Sequence, residues 1–269
     1  MSLLDIIKIV GFGTGAALHF YIAWLIFRRL RRGNVSNLRA ASATGSGPAS
    51  TSGLRPPDQY GLIHSERTFT ILGLCLGLWF LGNLLITFQE VLVGPGRSTG
   101  LLRAWNTITV FGIALFPSAL LHSHIAFWSW MDGYRVLSRT KALLAAVLSY
   151  VPMVFLPYVV FRVNTGDYKP YLAKLHFFLV PYSIWFLLAL WSSAVLDWKM
   201  KDRLYKWAAR ERAFLKAVSI LLFLIGALEF AVVAVRHIGP NNYLWVGFIL
   251  LSLLPTVTIA YYIYRYGLY

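Results

Sequence analysis

Seven stretches of mainly apolar residues, each about as long as the roughly 20 helical residues that cross a hydrocarbon layer of about 30 Å, run through this chain. They lie at about 4–27, 69–93, 105–130, 142–161, 177–196, 217–235 and 244–264. In lipid every backbone N–H and C=O has to bond within its own segment, so runs of this length are expected as α-helices. Composition agrees. Hydrophobic residues make up 58% of the chain and charged residues 13%, against roughly 45–50% and 25% in soluble domains. A water-soluble sphere has too little interior to hide that much apolar surface. The expected fold is therefore all-α and integral to the membrane, a single seven-transmembrane helix bundle over residues 1–269. The first run lacks a basic start and a small-residue cleavage site, and reads as a retained span.

The formal net charge is +15. In a soluble chain that would suggest nucleic acid as partner. Here the basic residues fall in short loops between apolar runs, the pattern of charge that faces anionic lipid and sets topology. The bilayer, not nucleic acid, is the expected partner. On the side that follows spans one, three, five and seven there are 18 Lys and Arg, and on the opposite side there are seven. The positive-inside rule then places the amino terminus outside and the carboxyl terminus in the cytoplasm, as an odd number of spans requires. Trp105, Trp128, Trp130, Trp198 and Tyr243 sit at expected span ends, where amphipathic rings prefer the headgroup zone.

The loops differ in kind. Residues within about 33–60 include a small, polar, Pro- and Gly-rich tract and are expected as a disordered cytoplasmic linker. The outer loops are too short to fold into a ligand-binding domain, so a sensed molecule would have to enter the bundle. Residues 197–216, DWKMKDRLYKWAARERAFLK, repeat apolar positions at helical spacing and read as a basic helical loop.

Ionisable groups inside spans are costly, from about 2.5 kcal/mol upward for a charge at a helix centre, and are functional candidates for that reason. His19, His122, His124, Glu90 and Glu229 qualify. A rise of 1.5 Å per residue puts His19 and His122 at a shared level, with Glu229 well removed from them. A bis-histidine haem site is one reading of the level pair. The other is that each imidazole donates to a carbonyl of a neighbouring helix. His122 and His124 are about 200° apart around their helix and cannot face one pocket. Glu229, His122, His19 and Glu90 are the candidate ligand-binding residues. Pro117 and Pro255 each remove a backbone hydrogen bond and are candidate hinges.

Several chemistries are excluded by what is missing. No GxxxxGK[ST] or HExxH occurs, the GxSxG letters of GRSTG at 96–100 fall in an outer turn that no strand precedes, no CxxC or CxxCH is present, and the last apolar run has no lysine to anchor a Schiff base. Cys75 lies alone in an apolar run and reads as a small buried hydrophobe. No catalytic residues, resident cofactor or metal are expected.

The third span reads FGIALFPSALLHSHIAFW and the chain ends LLPTVTIAYYIYRYGLY. Through Phe116, Pro117, Leu120, Leu121 and His122, and through Pro255, Ala260, Tyr261, Arg265, Tyr266 and Leu268, these stretches resemble the amino-terminal seven-transmembrane sensor region of bacterial membrane histidine kinases. The resemblance implies a two-component signalling protein of the bacterial cytoplasmic (inner) membrane. Members of that family continue into a signalling helix, a dimerisation domain with a phospho-accepting His and an ATP-binding domain. The residues here reach Tyr269, where that helix would begin, and carry no phospho-acceptor of that kind. The expected function is a non-catalytic sensor or receptor module, possible as a homodimer, that relays an unidentified small ligand or membrane signal through its last span to a cytoplasmic signalling protein or kinase module. The alternative is an accessory subunit of a membrane electron-transfer complex binding haem, quinone or pigment.

Overall fold

The computed structural model describes residues 2–43, 59–94, 99–131, 138–165, 176–201 and 220. Among them every regular element is helical: α1 (Leu3–Ala43), α2 (Gln59–Leu92), α3 (Thr99–Met131), α4 (Arg139–Leu148), a 3₁₀ turn (Val151–Phe155), α5 (Leu156–Asn164) and α6 (His176–Lys201). Four segments are long and apolar enough to cross a bilayer: Leu3–Arg28, Arg67–Leu92, Gly100–Ala126 and Arg139–Asn164. They fall on the first four expected spans, and the chain is a membrane protein. Helix α6 covers the fifth apolar run. Apart from residue 220 the sixth and seventh runs, and with them the carboxyl-terminal orientation, lie outside the described residues.

The first helix overshoots its apolar run. With 41 residues, α1 is about 60 Å long at 1.5 Å per residue, twice the hydrocarbon thickness. It reaches Ala43 and α2 begins at Gln59, so both ends of the linker expected at 33–60 are helical. The tract 44–58 between them lies outside the described residues.

Helices α1, α2, α3 and the α4–α5 segment alternate in direction, and three apolar clusters record how the helices meet. Phe12 and Ala16 of α1 pack on Leu76, Trp79 and Phe80 of α2. Ile86 of α2 and Val110 of α3 meet Val159 and Val163 of α5 toward one end. Leu72 and Cys75 of α2 meet Ala119 and Leu120 of α3 and Phe186 and Leu190 of α6 toward the other. Helix α3 is thus the common partner of α2, α4, α5 and α6, and α6 runs parallel to it. This alternation gathers Arg28, Arg67, Arg139, Lys141 and Lys199 at one end of the bundle and Lys8, Arg103 and Arg162 at the other.

Lipid tails are as apolar as leucine, so helices in a bilayer gain by close backbone approach at small residues. Helices α2 and α3 do this at Gly112. A Cβ there would sit 2.5 Å from the Trp79 amide nitrogen and 2.6 Å from the Cys75 carbonyl oxygen, both backbone atoms. At Gly82 a Cβ would collide with the Thr109 side chain. Two residues past the end of α2 comes Gly94, whose φ of 82° is a left-handed conformation that glycine adopts without strain.

The fourth apolar run is a single span in length but three pieces in backbone. Pro152 has no N–H for the Leu148 carbonyl, and its ring disfavours helical geometry at Val151. Helix α4 therefore stops at Leu148. Its last carbonyls are met by Ser149 N, which donates to Ala145 O at 3.1 Å, and by Tyr150 N, which donates to Val147 O at 3.0 Å. One 3₁₀ turn later Pro157 sits in the first turn of α5, where a missing N–H costs nothing.

Candidate functional site: a proline hinge held by two neighbouring helices

Pro117 lies inside α3, fully buried. An interior proline removes the bond from its own nitrogen to the carbonyl four residues earlier. Here that carbonyl belongs to Ile113. The structure supplies a substitute donor: the Tyr182 hydroxyl of α6 donates to Ile113 O at 2.7 Å. Tyr182 is positioned by its ring, stacked on Phe186 at 6.0 Å between centroids, and Phe186 in turn packs on Phe116 at 5.4 Å. The α3 backbone at its weakest point is therefore completed by another helix.

The opposite side of the hinge meets the break in the fourth span. Ser118 Oγ donates to Ser149 O at 2.7 Å. Ser149 Oγ donates to Ala146 O at 2.7 Å and reaches Ser118 O at 3.4 Å. One turn along α3, the His122 Nδ1 and the Tyr150 hydroxyl lie 3.2 Å apart, with the rings edge to face at 5.7 Å. Ser118, Ser149, Tyr150 and His122 form a polar cluster where the chain leaves helical geometry. Irregular backbone at membrane depth is tolerated when protein groups satisfy it in this way.

A second polar junction joins α3 to α6 further toward the end that gathers Arg139 and Lys199. The Trp128 indole N–H donates to Asp197 Oδ1 at 2.6 Å, and His124 Nε2 lies 3.5 Å from Asp197 Oδ2. Asp197 is only 2% exposed. His122 and His124 thus address different helices, as their angular separation requires.

The sequence-derived candidates are placed as follows. His19 is buried in α1, donates from Nδ1 to Gly15 O at 2.7 Å and stacks on Phe80 at 5.2 Å. Its carbonyl partner, like the Leu120 carbonyl that His124 contacts at 2.9 Å, belongs to its own helix and not to a neighbour. His19 contacts Gly15 and Phe80, and His122 meets Tyr150. Glu90 is half-buried in the last turn of α2, within electrostatic reach of Lys8 and Asp5 of α1. Glu229 and Pro255 lie outside the described residues. Among the described residues no group of three or more His, Cys, Asp or Glu is placed to hold a metal ion.

Three contributors were not legible as candidates. Asp197 read as the start of a loop, yet Phe186, Leu190, Ser193 and Asp197 recur at helical spacing, and all four are buried. That periodicity was the available signal. Trp128, expected at the headgroup level, is 3% exposed and donates into the bundle. Tyr182 carried no signal, because its partner is 69 residues away. Comparison of the chain with family models, with curated proteins and with solved structures gives no match.

Proposed function

We propose that this chain is a non-catalytic membrane sensor or receptor module whose moving part is the Pro117 hinge. The observation that carries this reading is the cross-helix bond from Tyr182 to the carbonyl that Pro117 leaves without its helical donor. An element whose backbone is completed by a neighbour has two arrangements: bonded to it, or released and bent. A small ligand bearing a hydrogen-bond donor, or a change in the surrounding bilayer, would shift the balance between them by its preference for one. Movement at the hinge would carry α6 with it, because Tyr182 and Asp197 tie both ends of that helix to α3.

In this reading the bundle has seven spans, with its amino terminus outside and its carboxyl terminus in the cytoplasm of a bacterium. The message leaves through the basic loop at 197–216 and the last span to a cytoplasmic signalling protein or kinase module. The family-like stretches around Pro117 and Pro255 support that direction of travel, and a homodimer fits the same scheme.

The test is made in the native host, with three strains: wild type, deletion and Pro117→Ala. A sensor predicts that deletion abolishes a transcriptional response and that P117A, which restores the helical bond, fixes the response in one state while the protein stays in the membrane. Identical transcript profiles in all three strains overturn the proposal. So does a visible absorption band in the purified protein, which would assign it to haem or pigment binding instead.

A further inference from the structure

The Asp197 carboxyl group is buried between two helices in a protein that leaves few charges inside, and its surroundings fix where its protons are. Three contacts define them. His124 Nδ1 lies 2.9 Å from the Leu120 carbonyl oxygen, which accepts only, so Nδ1 carries a hydrogen. His124 Nε2 then faces Asp197 Oδ2 at 3.5 Å. In a neutral imidazole protonated on Nδ1, Nε2 is a lone pair, and a lone pair set against a carboxylate in a buried site is repulsive. The arrangement is attractive only with a proton between them. The third contact says which partner holds it. Trp128 N–H donates to Oδ1 at 2.6 Å, a short charge-assisted bond that favours the carboxylate and turns Oδ2 toward the histidine.

We infer that His124 and Asp197 form a proton-binding site, with His124 as imidazolium and Asp197 as carboxylate, and that the bound proton latches α3 to α6. With the proton in place the pair is neutral overall, which is what burial of an Asp side chain 3% exposed beside a His 15% exposed demands. Without it, the Trp128 N–H still donates to Asp197 Oδ1, but a lone pair opposes the charge at Oδ2, and the tie between the two helix ends weakens.

Among the described residues the neighbouring helices add no competing charge at the pair. From α2 come Cys75, packed one turn back beside Leu120, and Arg67, which is exposed. Tyr150, after α4, faces His122 on the other side of α3. Arg139 and Lys141 of α4 and Lys199 of α6 are exposed at the bundle end. The charged group acting on His124 is Asp197. Helix α6 continues past Asp197 to Lys201, toward the basic stretch, so release of the proton frees that helix at its exit. The inference does not depend on the sensor reading, since a protein of any other function with this junction would titrate in the same way.

The test uses the full chain in lipid nanodiscs, labelled with ¹⁵N-histidine, as wild type, Asp197→Asn and His124→Gln. The H124Q protein identifies the signal of His124. In wild type that signal is expected as an imidazolium with both nitrogens protonated. When the pH is raised through its titration, the midpoint of thermal unfolding should fall. The carboxamide introduced by D197N keeps an oxygen for Trp128 and brings its own amide N–H to Nε2, so no shared proton is needed. In D197N the signal should become a neutral imidazole protonated on Nδ1, and the fall in midpoint should be lost. A neutral His124 in the wild type overturns the inference, as does an equal pH dependence of unfolding in wild type and D197N.

Discussion

Replacing Tyr182 with Phe removes one oxygen atom and isolates what holds the hinge. In the wild type that hydroxyl is the donor to Ile113 O; in the variant this carbonyl loses it. Leaving a buried acceptor unsatisfied costs about 1–3 kcal/mol, while interhelical hydrogen bonds in membranes average about 0.6 and reach about 1.7 kcal/mol. Both residues are half-buried, which places the expected loss near the lower range, about 1 kcal/mol. The decisive measurement is the same substitution in a Pro117→Ala background. There the new amide of residue 117 bonds Ile113 O within the helix, the tyrosine is redundant, and the cost of Y182F should fall to near zero. The coupling energy is then about 1 kcal/mol, a factor of roughly five in the unfolding equilibrium constant. The four proteins are compared by reversible unfolding in mixed lipid–detergent micelles on titration with sodium dodecyl sulfate, followed by circular dichroism. If Y182F costs the same in both backgrounds to within about 0.3 kcal/mol, the tyrosine does not substitute for the missing amide and the account of the hinge is wrong.

Two further outcomes follow from the packing. Gly112→Ala places a methyl against backbone atoms 2.5 and 2.6 Å away, which no rotamer change relieves. Helices α2 and α3 must part, at a cost of about 1–3 kcal/mol. Gly13→Ala, whose added carbon would meet Leu84 at an ordinary 3.9 Å, gains the same helix propensity without the clash and serves as the control in the same unfolding assay. Ser118→Ala removes the donor to Ser149 O. It should cost about 0.5–1.5 kcal/mol and raise amide hydrogen exchange at residues 149–153 by mass spectrometry, with exchange in α1 unchanged.

Much of the architecture could be read from the letters because lipid imposes one rule on every span. A run such as ILGLCLGLWFLGNLLITF has no alternative to a helix, and α2 is one. The hydropathy pattern is blind to events inside a run. The fourth span reads as uniformly apolar, and its division at Ser149–Pro152 depends on a backbone bond that proline cannot make. The hinge at Pro117 was legible from the proline alone, but Tyr182 was not, because no local spacing relates it to Ile113. Charge misled in one place. Asp197 begins a stretch rich in lysine and arginine and so looked like the point where the chain enters water, whereas α6 buries it and emerges only at Trp198 and Lys199. The linker expected at 33–60 takes its Pro- and Gly-rich character from its middle, while its flanks belong to the adjoining helices.

Pro117 inside α3, Pro152 in the 3₁₀ turn and Pro181 inside α6 lie far apart in the chain, yet the bonds from Ser118 to Ser149 and from Tyr182 to Ile113 bring all three within about a turn of one another along the bundle. Among the described helices, α1 and α2 run past that level with no proline in them, so an unbroken pair stands beside a group of helices weakened at one shared height. A bilayer that thins or stiffens would tilt the unbroken pair as rods and bend the others at that height.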